Sequence, residues 1–152
     1  MSLQALIRDA DAGETLTLHG TKIRILSTAA NSIGASTFEF LAVPGWDTGS
    51  HLHGALEEQF FVLEGEMEIR AGDRLVAAHP GTFVNVPAGV VHAFANRSTA
   101  LARMLLVTTP PGHERYFADL AAILAREGSP DPDEIANLRA RYDTTQVSPL
   151  ST

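Results

Sequence analysis

Short runs of alternating apolar and polar residues, separated by turn residues, extend from residue 15 to residue 108 and predict β-strands. In one run Phe38 and Phe40 share a face, because side chains two apart on a strand point the same way. Another run, from Phe60 to Leu63, is apolar throughout, which is typical of a strand buried on both faces. The predicted strands are 21–26, 37–43, 60–63, 66–70, 74–78, 82–86, 91–95 and 102–108. Many short strands at near-regular spacing favour a sandwich or a barrel.

The apolar pattern changes to helical spacing after a Pro-Pro-Gly sequence that follows the last strand. Phe117, Leu120 and Leu124 recur every three or four residues, which predicts a helix. Further on, Asp131 precedes a proline and is suited to cap a second helix. Glu134, three residues later, stands where a capping box places its acid. The chain is therefore predicted to end in a two-helix tail.

The length and composition fit one globular domain. The chain has 152 residues, of which 45% are hydrophobic and 19% are charged. We expect a β-barrel over residues 1–112. Residues 113–152 are expected to form the helical tail, packed on the barrel or at a dimer interface and not as an independent domain.

Charge and residue content exclude several kinds of site and partner. The formal net charge of -7, with no basic patch, disfavours a nucleic-acid partner. The chain has no cysteine, so disulfides, thiolate ligands and a cysteine nucleophile are excluded. No apolar run reaches the roughly 18 residues that a membrane span needs, so no membrane association is expected. The first residues lack the pattern of a signal peptide, and the expected location is cytoplasmic.

Four residues have the types and the spacing of a metal site. His51 and His53 are two apart, so on a strand both imidazoles lie on one face. Glu58 lies five residues after His53, so on one unbroken strand its side chain would point to the opposite face. A bend at 54–55 would let Glu58 begin the next strand with its carboxylate facing inward. His92 follows a Pro-Ala-Gly turn and begins another strand.

Three imidazoles and one carboxylate suit one divalent transition metal: iron, manganese, nickel, cobalt, copper or zinc. Four protein ligands in a six-coordinate site leave two positions open. Open positions distinguish catalytic metal sites from closed structural ones.

Two motifs carry a resemblance to a known family. Residues 45–65 resemble the first cupin motif, with its elements at Gly45, His51, His53, Glu58 and Gly65. Residues 81–96 resemble the second, with its elements at Gly81, Pro87, Gly89, His92 and Asn96. The six-residue spacing to Gly65 selects Glu58, and not Glu57, as the acidic ligand.

The resemblance implies an all-β fold, the double-stranded β-helix or jelly-roll barrel, with the metal inside and a short α-helical C-terminal tail. It also implies that His51, His53, Glu58 and His92 are the metal ligands. The chain is similar to small single-domain cupins of the quercetin-dioxygenase-like group. The function expected from this is a metal-dependent dioxygenase acting on a small organic molecule, with Glu58 as the catalytic base. Two alternatives stay open: a metal-dependent isomerase or decarboxylase, and a non-catalytic small-molecule-binding or sensor cupin.

Aromatic residues are expected in the barrel core, and those near the metal would also line a substrate pocket. The candidates for the pocket are Phe38, Phe40, Phe60, Phe94 and Trp46, and Phe83 is a further core candidate. The remaining histidines, His19, His79 and His113, lack ligand spacing and are expected on the surface or in loops. A homodimer is expected, because the tail helices and the open strand edges of a jelly roll offer surfaces for a second copy.

Overall fold

The computed structural model describes residues 4–148, so residues 1–3 of the predicted barrel and 149–152 of the predicted tail lie outside the described chain. The strands of the first half are β1 (Thr15–Leu18), β2 (Thr21–Ser27), β3 (Ser36–Ala42), β4 (His51–His53), β5 (Glu57–Glu64) and β6 (Met67–Ala71). They are followed by β7 (Arg74–Ala78), β8 (Phe83–Val86), β9 (His92–Ala95) and β10 (Ala102–Thr109). Two helices, α1 (Glu114–Leu124) and α2 (Pro132–Arg141), precede a last strand, β11 (Thr144–Gln146).

The strands form two antiparallel sheets, as the jelly-roll prediction requires. One sheet has six strands in the order β1-β2-β3-β10-β5-β8, and the other has five in the order β11-β4-β9-β6-β7. Strict alternation of buried and half-buried residues on β3 and β10 shows that one face of the six-stranded sheet is turned inward. The core between the sheets is apolar and includes Phe38, Phe60 and Met104, each no more than 1% exposed.

Two expectations about burial are wrong. Phe61 is 39% exposed, so the apolar run on β5 is not buried on both faces. Phe83, predicted to be core, is 58% exposed. The two residues are cross-strand neighbours on β5 and β8, at one edge of the six-stranded sheet, and their side chains lie on its outer face. An apolar run cannot by itself distinguish a sheet covered on both faces from one covered on a single face.

The first tail helix covers one end of the barrel. On α1, Tyr116, Phe117, Leu120 and Ile123 are buried. The Phe117 ring packs edge-on against Phe38, with the ring centroids 4.9 Å apart, and against Phe40 at 5.7 Å. Glu114 fixes the start of the helix, because its carboxylate accepts hydrogen bonds from the Ala29 N–H and the Ser36 hydroxyl.

The second tail helix begins as the sequence predicts, apart from one contact. Asp131 caps α2 by accepting a hydrogen bond from the Asp133 N–H at 2.9 Å, and Pro132 occupies the first helical position. Glu134 does not close a capping box. Its carboxylate instead pairs with Arg126, which lies before the helix, at 2.7 Å. The arginine offers a charged donor, which competes with the backbone N–H for the same oxygen.

The tail is not entirely helical. β11 pairs antiparallel with β4 and becomes an edge strand of the five-stranded sheet. Its register places Thr144 opposite His53 and Gln146 opposite His51. Three residues are too few for a recognisable alternation, so the sequence pattern did not predict this strand. The pairing brings the tail directly beside the predicted metal ligands.

Candidate metal centre

The four predicted ligands come together between the two sheets. His51, His53 and His92 project inward from the five-stranded sheet, and Glu58 projects from β5 in the opposite sheet. One ligand atom from each residue lies within 4.8 Å of the other three. All four side chains are buried, with Glu58 at 2% exposure. Glu57, its neighbour, points to the other face of β5 and lies outside this group.

Strand geometry explains how the side chains converge. His51 and His53 share the inner face of β4, and His51 stands directly opposite His92 on β9. The imidazole centroids of this cross-strand pair are 4.3 Å apart. The chain bends at 54–55, as predicted, before β5 begins. This bend changes the parity, so that Glu58 faces inward.

Backbone carbonyls orient two of the three imidazoles. His51 Nδ1 lies 3.0 Å from the Gly49 carbonyl oxygen, and His92 Nδ1 lies 3.0 Å from that of Val90. A carbonyl oxygen can only accept a hydrogen bond, so each Nδ1 carries the proton. In the neutral ring, the Nε2 of each is then left with a free lone pair directed at the cluster.

A hydroxyl from the tail orients the third imidazole. His53 Nδ1 lies 2.8 Å from the hydroxyl oxygen of Thr144 on β11. That hydroxyl donates its own hydrogen to the Tyr142 carbonyl at 3.1 Å. It is therefore an acceptor for His53, and His53 Nε2 is also left with a lone pair. Sequence reasoning missed Thr144, because its position depends on the unpredicted pairing of β11 with β4.

The inward atoms fit a cation. Nε2 of His53, Nε2 of His92 and Oε2 of Glu58 are buried without a hydrogen-bond partner among the described residues. Yet Glu58 Oε2 is only 2.7 Å from His92 Nε2, and Glu58 Oε1 is 3.3 Å from His53 Nε2. Acceptor atoms this close repel each other unless a proton or a cation lies between them. A divalent ion bound by three imidazoles and a carboxylate would supply that charge and satisfy all the buried acceptors.

Comparison with known families agrees with the two motifs. A family model described as a cupin domain matches residues 38–108, the region that holds all four cluster residues. This chain contains a cupin domain. A comparison with curated proteins found no match.

Solved structures share the fold of this cupin. The polyketide cyclase RemF from Streptomyces resistomycificus is 24% identical, with 69% of this chain and 78% of that chain covered and a TM-score of 0.60. An RmlC-like cupin from Shewanella frigidimarina is 18% identical, with 76% and 99% covered and a TM-score of 0.63. A predicted oxalate decarboxylase from Thermotoga maritima is 19% identical, with 68% and 97% covered and a TM-score of 0.59. At these identities the likeness concerns the fold alone. None of the helices within residues 4–148 of the cupin is long and apolar enough to cross a membrane.

The electrostatics of the cupin's cluster favour the protonation states that a metal needs. Burial, together with neighbouring His92, lowers the pKa of His51 to about 3, so this imidazole is neutral. Burial opposes ionisation of Glu58, but contact with His53 and His92 outweighs it and holds the Glu58 pKa well below its usual value. Burial likewise opposes protonation of His92, but the Glu58 carboxylate outweighs it and raises the His92 pKa. A proton on His92 therefore competes with a metal ion for the same position.

His113 was expected on the surface or in a loop, and this expectation is wrong. It precedes α1, is 7% exposed, and has its ring centroid 5.3 Å from that of His53. Its Nε2 lies 3.9 Å from Glu58 Oε1. Burial lowers its pKa to about 4, so the ring is neutral. Ligand spacing within a motif could not reveal it, because α1 carries His113 to the cluster from another part of the chain. His19 and His79 are exposed, as expected.

A pocket opens from the cluster towards the tail helices. His51, Glu58 and His113 line its inner part, and the structure places Trp46 and Phe94 on its wall beside Phe117. The other pocket candidates, Phe38, Phe40 and Phe60, lie in the sealed core and do not line it. The cavity has a volume of about 40 Å³. The pocket therefore suits a small ligand.

Arg139 on α2 also lines this pocket, and sequence reasoning missed it. The side chain is 2% exposed, and its Nη2 donates a hydrogen bond to the Thr48 carbonyl at 2.8 Å. The sequence does contain an indication that Arg139 faces the barrel. Arg139 stands four residues after Ile135, so it shares the apolar face of α2 that packs on the barrel.

Proposed function

We propose that this cupin is a metal-dependent enzyme that acts on a small organic molecule, and that its reaction is of the dioxygenase type. The observation that supports this most directly is the set of buried lone pairs on His53, His92 and Glu58, which converge without hydrogen-bond partners beside a small pocket. A bound divalent ion would supply a Lewis acid with positions open to ligands. A closed structural site would have no reason to adjoin a pocket.

In this proposal Glu58 also serves as the base. Its carboxylate lines the pocket and would accept a proton from the enol or phenol oxygen of a substrate, because a bound divalent ion would make that oxygen more acidic. His113 stands 3.9 Å away on the pocket side and could receive hydrogen bonds from the same substrate. Trp46, Phe94 and Phe117 form an apolar wall that would keep water from the reacting carbon atoms.

The rival function is that of a non-catalytic small-molecule sensor. The predominantly apolar wall of the pocket favours it, because binding alone needs few polar groups. Isomerisation or decarboxylation at the same metal is a neighbouring reaction class that also uses Glu58 as a base. These functions differ in whether oxygen is consumed and whether a product forms.

Metal analysis followed by oxygen-uptake assays tests the proposal. The purified protein should hold about one transition-metal ion per chain, His92→Ala should lose it, and His113→Phe should retain it. After loading with iron, manganese, nickel, cobalt or copper in turn, chelating enols and phenols should bind and consume oxygen. Glu58→Gln should lower turnover more than ligand affinity, because an amide cannot accept the proton. Tight binding with no oxygen uptake and no product for any metal would establish the sensor function instead.

We also propose that two copies of the chain form a homodimer. β8 is one of the two edge strands of the six-stranded sheet, and it carries the exposed Phe83 next to the exposed Phe61 of β5. An open edge with apolar side chains needs a cover. A second copy related by twofold symmetry offers the identical edge as that cover.

A further inference from the structure

The guanidinium of Arg139 is buried with unused hydrogen-bond donors. Its Nη2 donates to the Thr48 carbonyl and its guanidinium lies beside the Tyr116 hydroxyl, but its Nε and Nη1 have no partner in hydrogen-bond geometry among residues 4–148. Arginine remains protonated under all physiological conditions, so these donors belong to a full positive charge. Burying such a charge with its donors unsatisfied is unfavourable. This arrangement suggests a ligand that completes it.

The position of Arg139 indicates where that ligand lies. The side chain lines the same pocket as His51, Glu58 and His113, and it reaches the pocket from α2, while the cluster lies between the sheets. Two carboxylates also line the pocket, and each is engaged elsewhere. Glu58 faces His53 and His92, and Asp47 accepts a hydrogen bond from the Gly49 N–H and pairs with Arg97.

The charges of the pocket favour an anion. A divalent ion and the Glu58 carboxylate would together carry a net charge of +1, because imidazoles that donate a lone pair to the ion are neutral. Arg139 adds a second positive charge within the same pocket. A low-dielectric surrounding strengthens the attraction for an anionic ligand.

We infer that Arg139 binds a carboxylate group of the substrate, and that the substrates or ligands of this cupin are small organic acids with a second oxygen donor that reaches the metal cluster. This inference rests on the proposed metal function and specifies its substrate class. A carboxylate matches the guanidinium because it offers two acceptor oxygens in one plane. The predominantly apolar wall suits a short carboxylic acid better than a more strongly hydrated phosphate.

A purely structural role for Arg139 would have different consequences. The hydrogen bond to the Thr48 carbonyl ties α2 to the loop before β4, and that bond alone would require no ligand. In that case the pocket would not distinguish a carboxylate from an uncharged group of the same shape. The decisive measurement is therefore a comparison of each acid with its amide.

Calorimetric titration of the zinc-loaded protein makes this comparison. The probes are the hydroxy acids glycolate and lactate, their uncharged amides glycolamide and lactamide, and inorganic phosphate. For at least one of the two pairs, the acid should bind at least tenfold more tightly than its amide. Arg139→Gln should abolish this preference, whereas Arg141→Gln, an exposed arginine on the same helix, should retain it. Equal binding of each acid and its amide, or a preference that survives in Arg139→Gln, would overturn the inference. Tighter binding of phosphate than of both acids would overturn the substrate class.

A second measurement does not require a folded glutamine variant or a bound metal. The side-chain Nε–H resonance of Arg139 can be observed by nuclear magnetic resonance in the wild-type protein and assigned by its loss in Arg139→Lys. Glycolate should shift this resonance in both the zinc-loaded and the metal-free protein. If zinc fails to bind but the shift occurs, the metal function is wrong and the carboxylate site stands. If zinc binds and glycolate leaves the resonance unmoved, the carboxylate site is wrong and the metal function stands.

Discussion

The three clustered imidazoles each make one hydrogen bond on the side away from the cluster. His51 and His92 bond to backbone carbonyls, and His53 bonds to the Thr144 hydroxyl. In each case the bond holds the ring in one orientation and places the lone pair of Nε2 inward. Partners of this kind fix the orientation of a ligand and raise its affinity for the metal.

Replacing Thr144 tests this contribution. Thr144→Val keeps the size and branching of the side chain but removes the acceptor for His53 Nδ1. We expect the affinity for zinc to fall about 10- to 100-fold, as is usual when such a partner is lost. Competition with a chromophoric chelator measures the change. Thr145→Val, at the exposed neighbouring position on β11, should leave the affinity unaltered, and an equal loss in both variants would contradict the argument.

Residues of the site differ in how far the sequence could reveal them. The ligand group could be predicted because His51, His53, Glu58 and His92 lie at fixed spacings within two short motifs. His113, Thr144 and Arg139 could not be predicted from those motifs, because they come from the tail and reach the site only through tertiary packing. Arg139 was accessible in part, from its place on the apolar face of α2.

At the scale of elements, α1 covers the open end of the barrel. The Phe117 ring packs against Phe38 and Phe40 of the core and against Tyr116 of its own helix. The helix therefore closes the core and forms part of the pocket wall at the same time.

Shortening the Phe117 side chain of α1 should destabilise the fold. Phe117→Ala removes a buried ring that is 5% exposed, and we expect the free energy of unfolding to fall by about 3 kcal/mol. Urea denaturation followed by circular dichroism measures it. Arg115→Ala, on the exposed side of the same helix, should stay within about 0.5 kcal/mol of the wild type. A loss below about 1 kcal/mol for Phe117→Ala would show that the helix is not part of the cooperative core.

Glu39 on β3 links three strands on the outer face of the six-stranded sheet. It pairs with Arg24 of β2 at 3.1 Å and with Arg103 of β10 at 2.8 Å. Partial burial raises the Glu39 pKa, but the two guanidinium groups outweigh it, so the net pKa is lowered. A carboxyl group whose pKa is lower in the folded state stabilises the fold above its unfolded pKa, and this contribution is lost as the pH falls through the folded pKa.

The free energy of unfolding should include this contribution from Glu39 at neutral pH and lose it in acid. Glu39→Gln should cost on the order of 1 kcal/mol at pH 7, and the difference from the wild type should shrink as the pH falls to about 3. Urea unfolding at both pH values measures it. Glu127→Gln, at an exposed position, serves as the control. A difference that does not decrease on acidification would mean that the charge of Glu39 does not stabilise the sheet.

The strands were predicted more accurately than their exposure. The bounds of β7 agree with the prediction at both ends, and those of β2, β6, β8 and β9 differ by a single residue at one end or at each end. Turn residues mark those ends in the sequence. Whether Phe61 and Phe83 are covered depends instead on which surfaces meet, and the alternation within a single strand carries no information about that.

At the scale of the whole molecule, the cluster spans the two sheets and the tail spans the barrel's open end. The proposed second copy would cover the apolar edge at Phe61 and Phe83, which neither of these reaches. Dimerisation would therefore leave the pocket beside α1 and α2 unaffected, since none of the pocket residues lies on β8.

Sedimentation at micromolar concentration tests the dimer. The wild type should have twice the mass of the 16.3 kDa chain, and Phe83→Glu should reduce it to one chain by placing a charge in the apolar contact. Ile33→Glu changes another strongly exposed apolar residue, 85% exposed, and should remain dimeric. A monomeric wild type would refute the proposal.

The mixed origin of the hydrogen bonds that orient the imidazoles affects how the site can evolve. The carbonyls that hold His51 and His92 belong to the main chain at Gly49 and Val90, and every amino acid possesses one. Heritable substitutions at those two positions cannot delete the acceptors. The hydroxyl that holds His53 is encoded by the side chain at position 144, and serine is the only other small residue that retains it. Of the three contacts that orient the imidazoles, the one at position 144 is therefore the contact that a substitution can remove. Natural selection can change the metal affinity mainly there without replacing a ligand.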